Sequence, residues 1–211
     1  CCKKILLKEI KKNKSKKKIN VLNLKNLDNY KLNNQNINLI DIECKKLNQK
    51  SKIYSINEYI NKSFDLALNL INKKFSNKLI NGPINKKSFL NKRFLGITEY
   101  ISAKCKIKKT GMLIYNKNLS VCPLTTHLPL KLVASKISKK LIEEKINLIN
   151  EFFIKKLSIK PKIAVSGMNP HCESILKFNE DEQIVLKAIN AQKKKGVNVK
   201  GPFPADTIFL K

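Results

Sequence analysis

The most constraining feature of this chain is the order of patterns in its second half. A long apolar stripe at helical spacing is followed by a short branched strand, a second helix and further apolar residues. Val133, Ile137, Leu141, Ile142, Ile146, Ile149 and Phe153 recur at three- and four-residue steps, so the spacing predicts one long helix from Leu132 to Leu157, ended from beyond by Pro161. Ile-Ala-Val-Ser-Gly at 163–167 reads as a buried strand, and a helix beginning near Asn179 carries Glu180, Asp181 and Glu182 in its first turn and stops at Gly196. Helices alternating with strands predict an α/β fold with a mixed, largely parallel sheet and flanking helices.

Upstream, 111–115 and 119–124 are two branched runs separated by Asn116-Lys117-Asn118, a hairpin-length connection. Residues 78–82, Lys-Leu-Ile-Asn-Gly, read as a short buried strand turned by Gly82-Pro83. Ser55 and Glu58 form a capping box before Tyr59, Ile60, Phe64, Leu68 and Ile71, an amphipathic helix. Short strands are expected at 19–24 and 37–42, and the lysine cluster within 3–18 reads as a solvated or frayed segment.

Composition enters through charge. The 211 residues carry a formal net charge of +29, from 44 Lys+Arg against 15 Asp+Glu, which by itself suggests a polyanion as partner. Only Arg93 is an arginine, however, and the bidentate contacts that read phosphate and guanine favour arginine. Abundant Asn and Ile and the absence of Trp fit drift toward A/T-rich codons. The expectation is no nucleic acid and no membrane, with a basic polyanion-binding protein as the non-enzyme alternative. Six cysteines form no CxxC pair, which suggests reduced thiols. No run approaches the roughly 18 apolar residues of a membrane span or resembles a signal peptide, so a cytoplasmic location is expected. The first residue is Cys1 and an apolar run continues into the last residues, which reads as a piece of a longer protein.

Both histidines of the chain, His127 and His171, follow directly on the carboxyl end of an expected strand, the edge where α/β folds gather ligand-binding loops. Neutral imidazole ligates divalent transition metals, and Pro129 and Pro170 restrict the backbone beside each ring. Taken alone, each is equally an ordinary hydrogen-bonded or surface histidine.

The words around them carry more. Asn-Gly-Pro-Ile-Asn-Lys (81–86), Gly-Ile-Thr-Glu-Tyr (96–100), Thr-Thr-His-Leu-Pro-Leu (125–130), Gly-Met-Asn-Pro-His-Cys-Glu-Ser (167–174) and Lys-Gly-Pro-Phe-Pro-Ala-Asp-Thr-Ile-Phe (200–209) occur in order. Together they resemble the 4-hydroxythreonine-4-phosphate dehydrogenase family of vitamin B6 biosynthesis, convincingly from about Leu79 onward and weakly before it. The resemblance implies an incomplete, two-lobed architecture like that of isocitrate and isopropylmalate dehydrogenases. Residues 1–78 would form an amino-terminal α/β portion and 79–211 the metal- and substrate-binding portion, with the cofactor-binding remainder beyond 211.

It further implies oxidation of 4-phosphohydroxy-L-threonine by NAD (or NADP) to a β-keto acid that loses carbon dioxide. A divalent metal (Zn, Mg, Mn or Co) would favour the alkoxide and then stabilise the enolate. His127 and His171 match two histidine ligands of the family; the third would lie beyond Lys211. Lys86 resembles a lysine near the site, where an ammonium holds a carboxylate or phosphate, although in a chain this rich in lysine a solvated side chain is the plain alternative. Asp206 is a candidate to orient a ligand or that lysine, or else a turn cap.

Thr98 and Ile97 occupy substrate-contacting positions. Ile97 stands where the family has His and cannot hydrogen-bond, which opens a related dehydrogenase acting on phosphorylated threonate or another hydroxy acid, or an inactive member. The active site is expected to be shared across a homodimer. Cys172, Glu173, Thr125 and Thr126 are given no metal role.

Overall fold

A computed structural model describes residues 1–44, 52–91, 93–173 and 178–210, with the side chains of 52–55 left aside. The chain forms two compact units, Cys1–Gly96 and Ile97–Lys211. The sequence-based division at 78/79 marks where the motifs become dense, whereas the compact units divide at Gly96.

The first unit contains α1 (Lys3–Lys12), β1 (Ile19–Val21), a 3₁₀ turn (Leu24–Asn29), β2 (Ile37–Leu39), α2 (Lys52–Asn72) and α3 (Lys86–Leu90). The lysine cluster is therefore helical over its first part, because Leu6 and Ile10 turn inward at four-residue spacing while the lysines stay in water. β1 and β2 pair in parallel, with Ile19 opposite Ile37 and Val21 opposite Leu39. Both strands are shorter than the runs that suggested them. The backbone N–H of Lys3 donates to Asp41 Oδ1 at 2.7 Å, fixing the start of α1 beside the chain leaving β2.

α2 packs on α3 through Phe64 and Phe89, both buried, with ring centroids 6.1 Å apart, and through Asn57 Nδ2, which donates to the Ser88 carbonyl. α2 starts at Lys52, so Ser55 lies inside the helix and not at its start, and Glu58 pairs with Lys62 at 2.8 Å one turn on. Residues 78–82 form no strand; Ile80 is 94% exposed. A branched run becomes a strand only where a partner ladder exists, and no strand among the described residues pairs with it.

The second unit holds α4 (Ile97–Lys104), α5 (Leu130–Lys136), α6 (Lys139–Leu157), β3 (Ile163–Ser166), a π turn (Asp181–Leu186) leading into α7 (Lys187–Lys194), and β4 (Val199–Phe203). The expected long helix is two helices. Ile137 is extended, and Ser138 caps α6 by accepting from the Leu141 N–H at 3.2 Å, a local bond that competes with helix continuation. The expected hairpin at 111–124 is reduced to one antiparallel bridge, Ile114 to Val121. Helix and strand then alternate as expected. β3 and β4 are parallel, joined through the π turn and α7 in a βαβ unit, with Ile163 opposite Val199 and Ser166 opposite Phe203 across a bulge. At Gly201 (φ +131°) a Cβ would collide with the Val165 carbonyl oxygen, so only glycine fits the register shift.

The core of this unit is Ile142 and Ile146 from α6, Val185, Ala188 and Ile189 from the π turn and α7, and Val197 and Val199 around β4. Burying each isoleucine contributes roughly 1.5–3 kcal/mol. No helix among the described residues is long and apolar enough to cross a membrane. Ile189→Ala is expected to cost about 2–5 kcal/mol in urea unfolding. Ile154→Ala, at a residue 43% exposed, should stay within about 0.5 kcal/mol. Equal losses would contradict this core.

Candidate metal and substrate site

Gly167 to Cys172 connect β3 to the helical segment and carry His171. This loop is held from three sides. The Gly167 N–H donates to the Phe203 carbonyl at 2.8 Å and the Ala205 N–H to the Pro170 carbonyl at 2.9 Å, which join it to the chain leaving β4. Asp181, wholly buried, accepts from the Met168 N–H at 2.6 Å and from the Asn169 N–H and Nδ2 at 3.0 Å each. Buried Asn179 donates through Nδ2 to the Cys172 carbonyl at 3.3 Å. At Gly167 a Cβ would lie 2.5 Å from Cys172 Sγ and 3.1 Å from Asp181 Oδ1, so the loop closes only over glycine.

On that loop His171 is 74% exposed by its side chain, with Nδ1 3.5 Å from Asp206 Oδ2. Asp206 itself is 42% exposed and sits in the turn after β4. The spacing suits a carboxylate that fixes the ring and its tautomer and leaves Nε2 directed elsewhere. The fold thus unites two residues singled out separately in the sequence, across 35 positions of chain.

His127 follows the Ile114–Val121 bridge by a few residues. It is exposed and has a left-handed backbone, φ +56°. No hydrogen bond or ion pair reaches it among the described residues, and no group of three His, Cys, Asp or Glu side chains able to hold a metal occurs among them. The two imidazoles are therefore available nitrogen donors, which suits transition-metal ligation, but they are fewer than a metal site needs.

Thr98 and Ile97 open α4, both half-buried. Thr98 lines an apolar hollow of about 430 Å³ together with Ile101, Cys105, Leu113, Leu148 and Phe152, and no charged side chain lines it among the described residues. Lys86 is the exposed first residue of α3, in the first unit; Asn85 caps that helix by accepting from the Ser88 N–H at 3.2 Å.

Asp181, Asn179 and Gly167 were not legible as site residues. The acids at 180–182 matched a helix start, and helix starts favour acids for their own sake. The available signal was a glycine ending a strand next to a loop rich in backbone donors.

Two cysteines bordering these features have altered thiols. Burial pushes the Cys172 thiol up, and the Asp181 carboxylate adds to this; burial also raises Cys122, against a smaller pull from the Lys145 ammonium. The thiolate is the nucleophile, and a raised pKa reduces its share at neutral pH. Iodoacetamide labelling near pH 7.5, followed by mass spectrometry, should modify exposed Cys105 well before Cys122 and Cys172. Equal rates would show that the loop does not shield Cys172.

The model of the family described as pyridoxal phosphate biosynthetic protein PdxA matches residues 1–211, so the match extends through the first 78 residues, where the motifs are sparse. The chain is 33% identical over 175 residues to 4-hydroxythreonine-4-phosphate dehydrogenase of Neisseria meningitidis serogroup A, covering 80% of this chain and 52% of that protein. It is 37% identical over 141 residues to the protein of the same name from Sulfurihydrogenibium sp., covering 65% and 44%. A crystal structure of 4-hydroxythreonine-4-phosphate dehydrogenase from Klebsiella pneumoniae superposes with a TM-score of 0.75 at 24% identity, covering 99% of this chain and 65% of that one. The corresponding structure from Burkholderia phymatum gives 0.75 at 22% identity, covering 99% and 64%. The mixed α/β fold with parallel strands is thus that of these proteins, and the chain spans about half the length of the relatives it matches. On the family match over residues 1–211, the chain belongs to the PdxA family of pyridoxal phosphate biosynthetic proteins.

Proposed function

We propose that this chain is part of an enzyme that oxidises and decarboxylates 4-phosphohydroxy-L-threonine with NAD, or NADP, in pyridoxal 5'-phosphate biosynthesis. The observation that carries the reading is the pairing of His171 with Asp206 on a braced loop, inside a family match that spans the chain.

His127 and His171 would hold a divalent cation through ring nitrogens, with Asp206 orienting His171 through Nδ1. When bound, such a cation supplies Lewis-acid polarisation of the substrate's hydroxyl and carbonyl oxygens. Two imidazoles leave room for substrate and for a further ligand. In this reading further ligands complete the site, within a two-lobed dehydrogenase architecture and across a homodimer. Thr98 offers a hydroxyl to the substrate, and Lys86 an ammonium for its phosphate or carboxylate. The cation itself is read as Zn, Mg, Mn or Co; imidazole donors favour the transition metals among them.

A second reading rests on Ile97. This residue opens α4 with a side chain that neither donates nor accepts, and losing one polar contact relaxes discrimination among hydroxy acids. Phosphorylated threonate is then an alternative substrate.

The test is NADH formation by the protein that carries this chain, with each phosphorylated acid and an added divalent cation. The expected result is turnover of 4-phosphohydroxy-L-threonine that falls at least about 100-fold in both His127→Ala and His171→Ala, as expected when a ligand to a catalytic metal is removed. Undiminished turnover in both variants would refute the metal assignment. Preference for phosphothreonate would favour the second reading.

A further inference from the structure

Asp181 is fully buried, and the hydrogen bonds its carboxylate accepts all come from one place. Met168 N–H, Asn169 N–H and Asn169 Nδ2 are the donors, two to three residues before His171. No cation pairs with this carboxylate among the described residues. A buried carboxylate is a costly way to fill a core, because its charge is stable there only while every one of those bonds is made. Opening the loop on this side would break all three bonds together.

Next to it, Asn179 donates to the Cys172 carbonyl and so fixes the residue after His171, while its Oδ1 accepts from the Asp181 N–H at 2.9 Å. One turn of chain thus secures both flanks of His171 and leaves its ring exposed toward Asp206.

We propose that Asp181 is a positioning residue that presets His171 for a divalent cation, so that metal binding does not have to order the loop. This rests on the reading of His171 as a ligand. A site whose ligands are preordered binds more tightly because less freedom is lost on binding.

¹⁵N-histidine labelling of the protein that carries this chain, with the ring signals assigned through His127→Ala and His171→Ala, follows both rings by NMR during Zn²⁺ titration at fixed pH. The wild-type protein should show a Zn²⁺ response at His171 that His171→Ala removes. Asp181→Asn should weaken Zn²⁺ binding by about tenfold or more, the range for residues that orient metal ligands. It should also speed hydrogen exchange at the Met168 and Asn169 amides.

Val197→Ala, a core truncation outside the π turn, should lower stability and leave Zn²⁺ affinity unchanged. If Asp181→Asn fails to fold, Gly167→Ala disturbs the same loop with the carboxylate in place and should weaken binding in the same direction. Should His171→Ala bind Zn²⁺ as wild type does, the ligand reading fails and takes the inference with it. A loss in His171→Ala, with wild-type affinity in folded Asp181→Asn and Gly167→Ala, overturns the inference alone. An equal loss in Val197→Ala also overturns it, by showing that general stability sets the affinity.

Discussion

A carboxylate removed from water at the start of a helix must have its charge met by hydrogen-bond donors, and in this chain those donors come from the loop that carries His171. Asp181 receives three bonds from Met168 and Asn169. Hydrogen bonds to a charged group contribute about 1.5–3 kcal/mol each, and leaving such a group unpaired costs more than any one of them. The helix start and the loop are therefore one unit: neither is stable in its observed form without the other.

The rest of the second unit makes that coupling possible. Ile142 and Ile146 of α6 pack against Val185, Ala188 and Ile189, which holds the π turn, and with it Asp181, at a fixed height under the end of β3. β4 lies parallel to β3 across a bulge that Gly201 permits, and it delivers Phe203, Ala205 and Asp206 to the other side of the same loop. Apolar burial sets the position of the elements, and a few polar contacts at their ends set the direction of one imidazole. Replacing the glycines at either end of this arrangement would meet backbone or side-chain atoms at once.

The legible part of this organisation was the part written in periodicity. The stripe of α6 and the strand at 163–166 follow from spacing, α7 from the acids and the glycine at its ends, and the α/β alternation from these together, while His171 and Asp206 stand out through the motifs around them. What was not legible depended on contacts distant in sequence. Lys-Leu-Ile-Asn-Gly has the composition of a strand but lacks a ladder, so Ile80 is left in water. Ser138 has the composition of a mid-helix polar residue, yet its hydroxyl caps a new helix and splits the stripe in two. Asp181 looked like an ordinary acid at a helix start because its partners lie 12 and 13 residues earlier, in a loop whose conformation no local pattern encodes.

The proposed metal site rests on one imidazole held on a braced loop with a carboxylate behind it, and one exposed imidazole on a left-handed turn. Its central claim is that these two rings serve the same cation. Anomalous X-ray scattering from crystals of the protein soaked in Zn²⁺ or Co²⁺ tests this most directly. The account predicts one peak within about 2.0–2.1 Å of a ring nitrogen of both His127 and His171. Separate peaks on the two histidines, or a cation bound elsewhere with both rings free, would contradict it.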